Sequence, residues 1–273
     1  MSLNNFEVID MHAHVYPDKI ARKAAAGTDT FYGTTAAHDG TVLQFVSAMK
    51  EAGIDRAVIH SVATTYKQVE SVNRFIAETA TQDPAHLTGL GTLHMDSPDL
   101  RKDVEEIVAA GLHGVKLHPD IQGFQVDSKW SEEVYSLMEE FDLPILLHTG
   151  DRRYDNSNPD RMRPMVEKYQ NVTFIGAHFG GWSMWEDASR LLAGLPNFYV
   201  DCSSSFPYVS PEGAEKMIRL YGADHVMFGT DYPMWSPKDV VKTFTELNLM
   251  DAEKRLILSE NARRIFRIGK IQL

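Results

Sequence analysis

Val8-Ile9-Asp10-Met11-His12-Ala13-His14 is a short apolar run that ends on two histidines one residue apart. In an extended strand, side chains at i and i+2 leave the backbone on the same face, so His12 and His14 can address one common atom, as the ligands of a metal ion do. A His-x-His pair also turns up where no metal binds, so its weight depends on the company it keeps.

Outward from this run, short apolar or β-branched segments alternate with longer amphipathic ones down to the C-terminus. The pattern predicts strands near 6–12, 56–62, 87–94, 113–118, 144–148, 172–178, 197–202 and 225–230. It predicts helices near 41–52, 66–81, 98–110, 130–141, 160–169, 183–193, 211–221 and 237–248, with a further helix near 252–265. Gly53, Gly111 and Gly222 stand where helix C-cap glycines are expected. Segments such as Ala57-Val58-Ile59 and Pro144-Ile145-Leu146-Leu147 are apolar without alternation, which suits strands buried on both faces of a parallel sheet. Eight βα units imply an α/β fold, a single (β/α)8 barrel domain over residues 1–273 with an additional C-terminal helix. One long irregular segment, about 15–40, follows the first strand and therefore lies at the C-terminal mouth of the barrel, where such folds build their sites.

The 273 residues are 43% hydrophobic and 24% charged, with a formal net charge of −11, which is a soluble globular composition. No clustered Lys and Arg stretch is present to neutralise phosphates, so no nucleic-acid partner is expected. No apolar run approaches a membrane span and no signal-peptide pattern opens the chain, so the expected location is cytoplasmic with no membrane partner. Cys202 is the single cysteine, which rules out an internal disulfide and a thiolate metal cluster. A metal here must take nitrogen and oxygen ligands.

The polar residues fall at the ends of predicted strands. Strand 4 ends Lys116-Leu117-His118, strand 5 ends at His148, strand 6 at His178 and strand 8 at Asp231. In a parallel barrel these ends converge with His12 and His14 on one pocket. One buried histidine or aspartate is usually a satisfied structural group, but burying six such groups at one face without a function carries a desolvation cost at each.

With these residues in place, the sequence resembles the amidohydrolase superfamily, specifically its amidohydrolase-related (amidohydrolase 2) group of metal-dependent barrels, from Asp10-Met11-His12-Ala13-His14 to Gly229-Thr230-Asp231-Tyr232-Pro233. The resemblance implies His12, His14, His148 and Asp231 as ligands of a divalent metal, most often zinc, with Asp231 also moving the proton. It implies that His178 stabilises charge on the attacked oxygen, orients the water or binds a second metal. Lys116 is either carboxylated between two metals or an ammonium that meets a substrate carboxylate, and His118 shares its strand face. One metal is favoured over two.

The expected function is a metal-dependent hydrolase that uses metal-activated water on an amide, ester or lactone of a small, carboxylated substrate. The alternative is a non-oxidative decarboxylase resembling aminocarboxymuconate-semialdehyde decarboxylase. Arg152 and Arg153 read either as a clamp for a substrate carboxylate or as a solvated salt bridge. Tyr232 and Trp235 follow strand 8 at the pocket mouth. Trp182, Trp185 and Trp235 are placed to form its walls, although Trp182 and Trp185 also have the spacing of a helix face. His60 and His94 end strands 2 and 3 and are weaker pocket candidates; His38, His86, His113 and His225 read as surface or capping groups. A homo-oligomer is in keeping with the resemblance, but no stretch marks an interface.

Overall fold

The computed structural model describes residues 5–269. Among them eight strands alternate with helices: β1 (Ile9–His14), β2 (Arg56–His60), β3 (Leu87–Gly89), β4 (Val115–Leu117), β5 (Ile145–Leu147), β6 (Phe174–Gly176), β7 (Phe198–Asp201) and β8 (Val226–Met227). The helices are α1 (Ala21–Tyr32), α2 (Val42–Ala52), α3 (Val69–Gln82), α4 (Leu100–Ala109), α5 (Pro119–Gln122), α6 (Lys129–Phe141), α7 (Pro159–Lys168), α8 (Trp185–Leu192), α9 (Pro211–Tyr221), α10 (Pro237–Thr245), α11 (Asp251–Arg255) and α12 (Asn261–Phe266). A π-helical turn at Leu256–Glu260 joins the last two into the expected C-terminal helix. Residues 1–4 and 270–273 of the expected domain lie outside the described residues.

All strand pairs are parallel. They form one ladder in the order β1-β2-β3 and another in the order β4-β5-β6-β7-β8. Backbone hydrogen bonds cross both seams: Gly91 N–H to Gly114 O (2.9 Å) and Lys116 N–H to Gly91 O (2.7 Å) on one side, Met11 N–H to Phe228 O (2.9 Å) and Asp231 N–H to His12 O (2.8 Å) on the other. The strands are shorter than the apolar runs that encode them, because past the ladder each run continues as the loop that carries the site.

The core has two parts. Ile9, Met11, Val58, Leu90, Leu146, Ile175, Tyr199 and Met227 pack together. Residues from so many strands can meet only inside the ring. Ala262, Phe266 and Ile268 join them, so the end of the chain closes the floor. A larger cluster, including Phe45, Ile59, Ile107, Leu147, Phe198 and Phe244, lies between strands and helices. Burial of each such aromatic contributes roughly 1.5–3 kcal/mol.

The segment 15–40 is less irregular than its composition predicts, since it contains α1. Only Ala21 and Ala25 of that helix are buried and its first turn has no acidic residue, so neither an apolar stripe nor a charge signal announces it. Gly33 ends it in the left-handed conformation at φ 68°, which a residue without Cβ adopts freely.

Candidate metal centre and substrate cavity

A register shift between Asp10 and Ala13 interrupts the pairing of β1 with β2. Strict alternation would put His12 opposite Ile9 and Met11; the irregularity re-aims the strand, so the two apolar residues pack inside the ring and His12 and His14 still reach its mouth. Asp10 anchors the turn by accepting from His12 N–H (3.1 Å), Thr230 N–H (2.9 Å) and Thr230 Oγ1–H (2.5 Å), which ties β1 to the loop after β8. Burial pushes the Asp10 carboxyl up to about 7.

The ends of the strands open into one cavity of about 640 Å³, lined by His12, His14, Lys116, His118, His148, His178 and Asp231 at its polar end. His12 Nε2 lies 3.3 Å from His14 Nε2 and 3.4 Å from Asp231 Oδ1, and His14 Nε2 lies 3.5 Å from the same oxygen. These three groups therefore converge on one point. Lys116 Nζ stands 3.3 Å from His12 Nε2, and burial pushes this amine down to about 8. Lys116 and His118, which share a strand face, both line the cavity.

The fourth residue of the expected set, His148, lies in the same cavity but on a second cluster. Its ring stacks on His118 at 4.0 Å and meets His178 edge-on at 5.0 Å. Tyr32 Oη, carried in by α1, is 2.7 Å from His118 Nε2 and 3.2 Å from His148 Nε2.

Hydrogen-bond partners assign the tautomers. His12 Nδ1 faces Asp201 Oδ2 at 2.9 Å, so it bears the proton and leaves the Nε2 lone pair to the cavity. His178 Nδ1 faces the Ser203 carbonyl at 3.0 Å and, by the same argument, turns an Nε2 lone pair inward. Burial holds His12, His14 and His148 well below the usual imidazole range and His178 at about 4, so these rings are neutral at pH 7. Burial raises the Asp231 carboxyl to about 6 against the opposing hydrogen bond from Ser204 Oγ–H. Ser204 is fixed in turn by the Trp235 indole N–H at 2.7 Å. His178 and Asp231 both have left-handed backbone, at φ 59°, which turns the chain sharply off its strand and aims each side chain across the mouth.

A ring of neutral imidazole lone pairs, one carboxyl group and a carboxylate behind His12 is the donor set of a divalent cation such as zinc, manganese, iron or nickel. The residues present fit that group.

Other expected residues have different surroundings. Arg153 donates to Asp151 from Nε and Nη2 (3.0 and 2.7 Å) and to the Phe31 carbonyl from Nη1 (2.7 Å), and its guanidinium packs over Phe31, Tyr32, Tyr154 and Trp182. Arg152 donates from Nε to the Ser183 carbonyl at 2.6 Å. Neither lines the cavity. Tyr232 is fully buried against Phe45 and His38, with its hydroxyl donated to Thr41 O at 3.2 Å, and belongs to the packing beneath the mouth. Trp182 and Trp235 do form cavity walls, together with Phe31, Tyr32, Phe75 and Tyr208. Because α8 begins at Trp185, Trp182 and Trp185 do not share a helix face; Trp185 stacks on Tyr208 behind the wall. His60 is buried edge-on to His12 and His14 (4.9 and 4.4 Å between centroids) with neither ring nitrogen bonded, and His94 accepts from Asp96 N–H at 3.2 Å.

Sequence reasoning missed Asp201, Ser203, Ser204 and Tyr32. The first three stand at the end of β7 in Asp201-Cys202-Ser203-Ser204-Ser205, a strand end as polar as the others, and that position was the available signal.

The amidohydrolase family model matches residues 9–268, and the chain belongs to that family. Among curated proteins it is similar to gamma-resorcylate decarboxylase of Polaromonas sp. strain JS666, 22% identical over 82% of this chain and 87% of that protein. Among solved structures it is similar to an uncharacterised TIM-barrel protein from Bordetella bronchiseptica, with a TM-score of 0.80, 19% identity and coverage of 96% of this chain and 99% of that one. It is also similar to a dihydroxybenzoic acid decarboxylase from Polaromonas sp. JS666 with bound manganese and the inhibitor 2-nitroresorcinol, with a TM-score of 0.75, 18% identity and coverage of 97% and 98%. The fold is that of the TIM-barrel proteins. No helix among the described residues is long and apolar enough to cross a membrane.

Proposed function

We propose that this chain is a metal-dependent, non-oxidative decarboxylase of a small, planar, hydroxylated or unsaturated carboxylate. The observation that carries the reading is the two-ended cavity: a cation-binding donor set and Lys116 at one end, and rings of Phe31, Tyr32, Phe75, Trp182, Tyr208 and Trp235 along the walls. Such walls hold a flat ring by stacking and edge contacts. The decarboxylase relatives act on compounds of this shape, which moves the weight from hydrolysis, the first expectation from sequence, to its alternative.

His12, His14, His148 and Asp231 would hold one divalent metal, which supplies Lewis-acid polarisation of substrate oxygens when bound. Lys116 faces the substrate carboxylate; with its amine pushed down to about 8, it tolerates a neighbouring cation better than an ordinary lysine does. His178 presents its Nε2 lone pair to the same end and orients the substrate through a hydroxyl proton. Asp231 delivers a proton to the ring carbon that bears the carboxylate. The bond from that carbon to the carboxylate then breaks, its electron pair restores the ring, and CO₂ leaves; water returns the proton to Asp231, and the hydroxide so formed is taken up in solvent by CO₂ as bicarbonate.

Hydrolysis of an amide, ester or lactone is the second reading. The raised Asp231 carboxyl favours it, since the same group suits removal of a proton from water. The two are separated by offering the metal-loaded protein hydroxybenzoates, unsaturated carboxylates, lactones and amides while measuring CO₂ and acid release in parallel. CO₂ release with loss of the carboxyl supports the proposal; acid release from a lactone or amide with no CO₂ replaces it with the second reading.

A further inference from the structure

Tyr32 serves above only as a cavity wall, yet its hydroxyl touches two of the cavity's histidines. His118 Nδ1 accepts from Ile121 N–H at 3.3 Å, so the proton of this neutral ring is on Nε2. That N–H therefore donates to Tyr32 Oη, 2.7 Å away. The phenol has one proton of its own, and its other partner is His148 Nε2 at 3.2 Å, which must accept. The chain of donation thus runs from His118 through Tyr32 to the lone pair that His148 would give to a metal.

We propose that Tyr32 is a substrate-binding residue that exchanges partners. Its O–H competes with a divalent cation for the His148 Nε2 lone pair and, once the cation takes that lone pair, turns its proton to an anionic oxygen of the substrate. The inference rests on the reading of His148 as a metal ligand. The phenol oxygen need not move for the exchange, because the proton swings about the C–O bond while His118 Nε2–H still holds the oxygen. The ring is fixed from behind as well. Arg153, bound to the buried carboxylate of Asp151, grips the carbonyl of Phe31 and lies over the Tyr32 ring. Tyr32 also packs against Trp182, one of the walls that would sandwich the ligand. Metal loading would in this way convert a capped histidine into a completed oxyanion contact, so that an anionic ligand binds well only after the cation.

The test compares Tyr32→Phe, His148→Gln and the double variant by calorimetric titration with Mn²⁺, then with 2-nitroresorcinol on the Mn²⁺-loaded proteins. Loss of one modest hydrogen bond predicts that Tyr32→Phe binds Mn²⁺ about threefold to tenfold more tightly while binding 2-nitroresorcinol more weakly by a similar factor. The gain for Mn²⁺ should vanish when His148 is already Gln. Mn²⁺ affinity that falls or stays the same in Tyr32→Phe overturns the proposal, as does a gain that persists in the double variant. If His148→Gln alone binds Mn²⁺ like the unaltered protein, the ligand assignment fails, and the exchange falls with it.

Discussion

Asp201→Asn is an isosteric change with a directional consequence. Asp201 Oδ1 accepts from Ser203 N–H at 2.9 Å, from Ser203 Oγ–H and from His178 N–H at 3.3 Å, while Oδ2 faces only His12 Nδ1 among the ring nitrogens, at 2.9 Å. An asparagine must keep its oxygen where three donors point, which leaves its NH₂ against His12 Nδ1. That nitrogen then has to accept, its proton moves to Nε2, and the lone pair shared with His14 and Asp231 is lost. Disturbing the partner behind a ligating histidine typically costs 10–100-fold in metal affinity, about 1.4–2.8 kcal/mol. Titration of Mn²⁺ into Asp201→Asn, with far-UV circular dichroism as the check on folding, should show a loss of that size. A folded variant whose affinity stays within about threefold of the parent would refute the tautomer argument.

Asp231→Asn should abolish CO₂ release while leaving the thermal transition close to that of the parent, because the amide still accepts from Ser204 but has no proton to deliver; a variant that keeps most of its turnover removes Asp231 from proton transfer. Gly150→Ala should be severe although it touches no catalytic group. Gly150 has φ +74°, and a Cβ there would lie 2.7 Å from Gly181 Cα and 2.9 Å from Trp182 N, so left-handed strain and backbone overlap add to about 2–5 kcal/mol. An unchanged urea midpoint for that variant would contradict the close approach of the loops after β5 and β6.

Much of this arrangement is written locally in the chain. Ile145-Leu146-Leu147 and Phe174-Ile175-Gly176 are buried on both faces, so their unbroken apolar character predicted strands and their ends predicted His148 and His178 as site residues. What could not be read depends on distant contacts. Tyr32 reaches the site because Arg153, more than a hundred residues away in sequence, holds the end of α1, and no periodicity in 21–32 encodes that. Arg153 read either as a substrate clamp or as a solvated salt bridge; its pairing with Asp151 is local, and the contact with the distant Phe31 carbonyl, which only the fold assembles, is what turns it to a structural role. Asp201 was passed over although it ends a strand as Asp231 does, because its role behind a ligand becomes visible only when His12 Nδ1 is found beside it. His148 shows the limit of the family pattern, since the strand-end rule placed it in the cavity but not against His118 and Tyr32.

The most direct test of the account is elemental analysis of protein purified without chelators, together with His14→Ala and Asp231→Ala. The account predicts about one divalent ion per chain in the parent and near-complete loss in both variants, as expected for one ion held by few protein ligands. Close to two ions per chain would contradict the single-metal reading and point to a carboxylated Lys116 between them. No ion in the parent, or full occupancy in both variants, would contradict the metal centre itself.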